Sequence, residues 1–296
     1  MPRRRGPDIP IEALMGGKIA PERDAVRGMR TLETKLAGEF KSHVDSRNRL
    51  AKAGQPLREA LAGQVGDEAR AAAKSLSAIH AQRTKRRIPA PAVRRDQRRI
   101  YTGSIGATHV PPFDYQWTWS AQNGGARNFP VANRLTGELD VDCDTAMNNA
   151  SSAWCRAALG IYFRPVVTNG ILRVSANPGF TFDWFTLCTL ASAHSDAFIG
   201  LYVGSYTLAG GFESAPVDQT ISLWSDDSWW EGAGINKGSN SGFPLFAQFN
   251  VDSAHWYAIW VWAGTAVNAA GWGTFSGSGA QGGIQAMVPS ISWELF

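Results

Sequence analysis

At 296 residues, 44% hydrophobic and 18% charged, the chain is long enough for one sizeable core plus an appended module. Its net charge of +4 averages two unlike parts: residues 1–100 carry 23 Lys/Arg against 11 Asp/Glu, a net +12, and residues 101–296 carry 6 against 14, a net −8. Three cysteines are no disulfide framework, no run of about 18 apolar residues offers a transmembrane helix, and the basic N-terminus lacks the apolar stretch of a secretory signal.

The charge division coincides with an aromatic one. All 12 Trp lie in the second part, starting at Trp117, whereas Phe40 is the only aromatic residue before Tyr101. A large aromatic core therefore belongs to the second part, and the first can bury little alone. The opposite charges imply two partners, attraction between the parts, or separate solubility of two modules.

Residues 1–20, with three prolines and a Gly-Gly pair, read as a flexible terminus. Residues 21–82 read as two helices. Pro21, Glu22 and Asp24 suit a first turn, and Leu32, Leu36 and Phe40 recur at helical spacing as a narrow apolar stripe. Gly54-Gln55-Pro56 breaks the pattern, and Leu57, Leu61, Val65, Leu76 and Ile79 resume it. Two thin stripes make no core. The helices are expected to pack on each other, on the second part, or in a bundle with other chains, where Leu32, Leu36 and Phe40 would be assembly residues.

Residues 83–100 form a basic, Pro-containing linker. Arg83, Lys85, Arg86, Arg87, Arg94, Arg95, Arg98 and Arg99 flank Pro89-Ala90-Pro91. Such a segment is either a polybasic arm for nucleic acid or an acidic partner, or a solvated extended spacer.

From Tyr101 the pattern becomes that of strands. Tyr115-Gln-Trp117-Thr-Trp119 alternates with period two, and Leu139-Asp-Val141-Asp-Cys143-Asp alternates apolar with acidic, as a half-buried strand does. Asn169-Gly170 stands between two β-prone runs and signals a hairpin. Further runs at 180–187, 197–206, 220–224, 243–249, 255–262, 287–288 and 291–296 bring the expectation to about ten strands, with no helical period between them. Residues 264–283, rich in Gly, Ala and Ser, read as one long loop. The fold expected for 101–296 is an all-β antiparallel sandwich or jelly roll.

Motifs for chemistry are sparse. There is no nucleophile elbow, no phosphate loop between strand and helix, and no His or Cys spacing suited to zinc, so no cofactor is expected. Cys188 and His194 lie close in sequence without a visible third partner. A Cys143–Cys155 bridge remains open beside the alternative of buried thiols. Ser225–Glu231 packs Asp226, Asp227 and Glu231 beside Trp229 and Trp230, in what reads as a loop. With Trp272 these residues form a candidate ligand site. Asp226, Asp227 and Glu231 are also a weak candidate for Ca²⁺, and carboxylates there could serve a glycosidase if two of them converged. Tyr202 and Tyr206 join the aromatic residues expected near strand ends, where two or three Trp are expected to be exposed enough to bind.

The segments Gly160-Ile-Tyr-Phe-Arg-Pro165, Gly170-Ile-Leu-Arg-Val174 and Leu223-Trp-Ser-Asp-Asp-Ser-Trp-Trp230, with the Trp-rich run at 256–262, resemble a loose group of bacterial β-sandwich proteins. The resemblance spans about residues 130–296. It implies a β-sandwich and no activity.

The function expected from these readings is binding or structural rather than catalytic. The β domain would be a recognition module, with a helical region for assembly or attachment, as in virion, tail or injection-type particles. The alternatives are a carbohydrate-binding lectin or glycosidase, and an effector or toxin with a basic loading segment. Partners expected are a protein or a second copy, then a glycan, then nucleic acid at the basic arm. Synthesis is expected in the cytoplasm, with any delivery outside by a non-secretory route or within a particle.

Overall fold

The N-terminal stripe builds a helix that is seated on strands. A computed structural model describes residues 20–56, 60, 105–145, 150–270 and 277–296. The basic arm at 83–99, nearly all of the second expected helix and Trp272 lie outside these residues. Helix α1 (Glu22–Ala53) starts directly after Pro21, carries Glu22 and Asp24 in its first turn, and stops before Gly54. Ala25, Met29, Leu32, Leu36 and Phe40 are buried along one side. They belong to or adjoin the core formed with the β domain, so the first of the expected helices packs on the second part of the chain.

Among the described residues twelve strands follow: β1 (Ile105–His109), β2 (Tyr115–Asn123), β3 (Arg127–Asn133), β4 (Glu138–Asp144), β5 (Ala150–Phe163), β6 (Gly170–Ala176), β7 (Gly179–Thr207), β8 (Phe212–Asn240), β9 (Leu245–Val251), β10 (His255–Ala270), β11 (Gly277–Met287) and β12 (Ile291–Leu295). Two sheets result. The larger has eight strands in the order β2-β5-β10-β7-β11-β4-β3, with β8 along the other edge of β7; the smaller has the order β1-β12-β6-β9. All pairings are antiparallel, so the expected all-β architecture preceded by a helix is observed.

The large sheet is folded over on itself. Strand β7 pairs with β10 along Ser192–Thr207 and with β11 along Gly179–Thr189. The same division runs through its neighbours, β5 then β4 and β2 then β3. The half containing β2, β5 and β10 therefore faces the half containing β3, β4 and β11. Cys143 of β4 lies 3.2 Å from Cys155 of β5, sulfur to sulfur, although those strands are not paired. A side chain at Gly282 of β11 would meet Ser195 and Val267 of the other half. Alternation supplies the inner faces: Leu139, Val141 and Cys143 are buried while Asp140, Asp142 and Asp144 are half-buried. The small sheet closes one end, with Trp293 against Phe163 at 4.7 Å between ring centroids and Phe249 near Tyr257.

Three sequence expectations change. The stretch 264–283 was expected to be a loop, but β10 continues to Ala270 and β11 begins at Gly277. Its Gly, Ala and Ser residues hide the period of two while fitting the close approach of the two halves. Ser225–Glu231 lies within β8, not in a loop. Asn169-Gly170 does not close a hairpin of adjacent strands, because β6 pairs with β12 and β9 in the other sheet. The observed β7–β8 turn instead uses Gly210, whose φ of +87° favours glycine. Of the two readings left open for the cysteines, buried thiols hold: none of the three is in a disulfide.

Candidate functional site

The face of the large sheet that receives α1 is built from alternate residues of β2, β5, β10 and β7. The register aligns Tyr115, Gly160, Trp260 and Tyr202 across the four strands. The next same-face row is Trp117, Ala158, Trp262 and Gly200, and the third is Trp119, Arg156, Gly264 and Phe198. Ala121, Trp154, Ala266 and Asp196 follow. Bulky aromatic side chains at the edges thus surround a central strand that narrows to Gly264 and Ala266.

Polar contacts fasten the helix at several points. Tyr115 donates to Ala20 O at 3.0 Å, Trp117 Nε1 donates to Glu33 Oε1 at 2.8 Å, and Tyr202 donates to Gly28 O at 3.3 Å. Tyr206 donates to Ala25 O and accepts from Gly28 N at 3.2 Å. Tyr202 and Tyr206 are therefore buried anchors of the helix, not the exposed binding aromatics expected from the sequence.

Beyond Leu36 the helix and sheet leave a hollow of about 120 Å³. Its walls include Trp119, Trp154 and Phe198, its floor Gly264 and Ala266, and its charged groups Glu39, Arg156 and Asp196. The small floor residues explain the space. The Arg156 guanidinium stacks over Trp262 at 4.2 Å from the ring centroid. Burial pulls the Arg156 pKa down to about 10, against the opposing attraction of Asp218 and Glu39. Among the described residues no carboxylate lies within ion-pair distance of this guanidinium, and no acceptor is hydrogen-bonded to it. The buried indole N–H of Trp262 also lacks an acceptor.

Next to the hollow, His194 is held on both sides: Nδ1 is 2.8 Å from Asp227 and Nε2 is 2.5 Å from Asp196. Both ring nitrogens can donate at once only when the ring is doubly protonated. With both nitrogens on carboxylates, His194 has none to offer Cys188, which is itself buried. His43 of α1 lies 6.3 Å from the His194 ring and 5.6 Å from Trp154.

The residues singled out at 226–231 are divided by strand alternation. Asp227 faces His194, whereas Asp226 accepts from Thr186, whose hydroxyl is also 2.8 Å from Ser228. The two neighbouring carboxylates therefore face opposite sides of β8 and do not form a convergent pair. Trp229, Trp230 and Glu231 are described only as backbone within β8. Among the described residues no group of three or more His, Cys, Asp or Glu is placed to hold a metal ion. Leu32, Leu36 and Phe40, considered for assembly between chains, are turned to the chain's own sheet; Phe40 meets Trp154 edge-on at 5.4 Å.

None of the described Trp side chains is exposed. Among the described residues the exposed aromatic ones are phenylalanines: Phe129 on β3, Phe246 on β9 and Phe296 after β12. Phe246 and Phe296 lie on the outer face of the small sheet, with Arg173 of β6 between them. Its guanidinium is 4.8 Å from the Phe296 ring and 5.6 Å from the Phe246 ring, and 3.5 Å from Glu294. Ile171 on the same strand is exposed as well. A second outer surface carries the β4 acids, where burial, and then Asp144, Asp140 and Asp183, push the Asp142 carboxyl up to about 7.

Sequence reasoning did not single out Arg156, Trp119, Trp154 or Asp196. A signal was present in Ala150–Phe163, where one arginine interrupts a strand of otherwise apolar and small residues.

The chain matches no protein-family model and no curated protein. Solved structures give distant likenesses. One is titled "Structure of infectious bursal disease virus Gt strain", with 9% identity over 70% of this chain and a TM-score of 0.18. This chain spans under half of that one, 42%. Another is the CBM22-1 xylan-binding domain of Paenibacillus barcinonensis Xyn10C, with 12% identity over 57% of this chain, 85% of that domain and a TM-score of 0.14. No helix among the described residues is long and apolar enough to cross a membrane.

Proposed function

We propose that the chain is a binding or structural protein whose β-sandwich carries a recognition surface on the outer face of the small sheet. The observation that carries this reading is the exposed Phe246–Arg173–Phe296 stack. Aromatic residues and arginine dominate the energetic centres of protein interfaces, because they bury large areas at small conformational cost. Here they stand on a rigid sheet, with Ile171 extending the apolar area. The surface suits a second copy of the chain or a protein of a larger particle. The basic arm at 83–99 would supply attachment.

The test is the solution mass of the full chain by light scattering, before and after Arg173→Glu combined with Phe246→Asp. A discrete oligomer that falls to a monomer without loss of thermal stability supports the reading. An oligomer unchanged by these substitutions, or a chain monomeric at all concentrations, rejects self-association through this face.

A further inference from the structure

The hollow beneath α1 has properties that a packing defect does not require. At about 120 Å³ the hollow is larger than the space one water needs, about 10–15 Å³. Its walls are aromatic, which is the usual lining of a small-molecule pocket with few polar groups. Those few groups carry both signs. Arg156 offers a guanidinium whose planar donors are paired with no acceptor among the described residues, and such a fork matches a carboxylate bidentately. Glu39 and Asp196 line the same space, so a simple anion would meet repulsion there. Glu39 is exposed on the outer turn of α1 and marks the way in.

We propose that this hollow binds a small zwitterion of amino-acid or betaine class. Its carboxylate lies on Arg156, its ammonium lies toward Glu39 and Asp196, and its apolar body rests between Trp119 and Trp154. Each charge of the ligand meets its opposite, and the aromatic walls favour an ammonium by cation–π attraction. The site is separate from the small-sheet surface and stands without it.

The test uses the full chain, titrated calorimetrically with glycine betaine and each of the twenty protein amino acids. Acetate and tetramethylammonium serve as half-ligands. The expected result is millimolar or tighter binding of at least one zwitterion, with tryptophan emission changed on binding, and with each half-ligand at least about tenfold weaker. Arg156→Gln should weaken binding by about tenfold or more, as should Glu39→Gln, which alters only an exposed side chain and leaves the fold intact. Phe246→Ala should leave binding unchanged. The proposal is overturned if no zwitterion binds, if a half-ligand binds as tightly as the whole, or if Glu39→Gln has no effect.

Discussion

Tyr206 of β7 closes on α1 at Gly28, and the two residues are fitted to each other. The tyrosine hydroxyl accepts the Gly28 N–H at 3.2 Å and donates to Ala25 O. A Cβ at position 28 would lie 2.6 Å from that hydroxyl and 2.8 Å from Phe212. The absence of a side chain inside a helix therefore has a packing cause. Gly28→Ala should destabilise the fold by about 1–2 kcal/mol even though alanine favours the helix, because overpacking at this contact outweighs the propensity gain of about 1 kcal/mol. Denaturant unfolding measures this; a stabilised variant would show that the helix is seated elsewhere.

Leu36 is 1% exposed and lies in the core shared by helix and sheet. Leu36→Asp should therefore lower stability by more than about 3 kcal/mol, since it removes apolar burial and leaves a charge without a partner. The mass of the folded protein should not change. Thermal melts and light scattering on the same sample separate this outcome from loss of a contact between chains.

Asp142 should make stability fall as pH rises. Its carboxyl titrates near 7 in the folded chain against 3.8 as the ordinary value, so the folded state holds a proton that the unfolded state releases. The stabilisation is complete below about pH 4 and is lost as pH passes through 7. Asp142→Asn should flatten this slope and raise stability at pH 8 by about 1 kcal/mol or more, with little change at acid pH. An unchanged pH profile in the variant would place the effect on another group.

Cys143, Cys155 and Cys188 are buried. The 3.2 Å between Cys143 and Cys155 exceeds a sulfur–sulfur bond of about 2.05 Å, and burial holds the Cys143 thiol well above its ordinary pKa. An aryl disulfide reagent should react slowly with the native chain and titrate three thiols after denaturation. A count of one would mean that a bridge had formed.

The helix start, the β4 alternation and the all-β character were legible because each rests on local chemistry: Pro21 with the first-turn acids, Asp against Val and Cys, and β-prone aromatic runs. The helix seat was not, because Tyr115, Tyr202 and Tyr206 become neighbours only through the strand order β2-β5-β10-β7. The end of β10 and most of β11 were hidden for a different reason. Gly, Ala and Ser are frequent at 264–270 and 277–283, and their small size erases the polar–apolar contrast that marks a strand. Whether the carboxylates at 226–231 converge was not legible, because sequence proximity carries no face. Once they lie in β8, neighbours point apart. Arg156 was passed over because a lone arginine acquires meaning only when Trp262 and the hollow stand beside it.

Helix α1 leaves the ribosome well before its seat is complete. The floor beneath it is β10, which ends at Ala270, about 200 residues after the helix. At roughly 5–20 residues per second the finished helix waits roughly 10–40 s for its partner surface. Throughout that interval Met29, Leu32, Leu36 and Phe40 lack the complete sheet that covers them. A growing chain of this design presents an early, sticky ribbon to the cell, and its yield should depend on factors that shield nascent apolar segments.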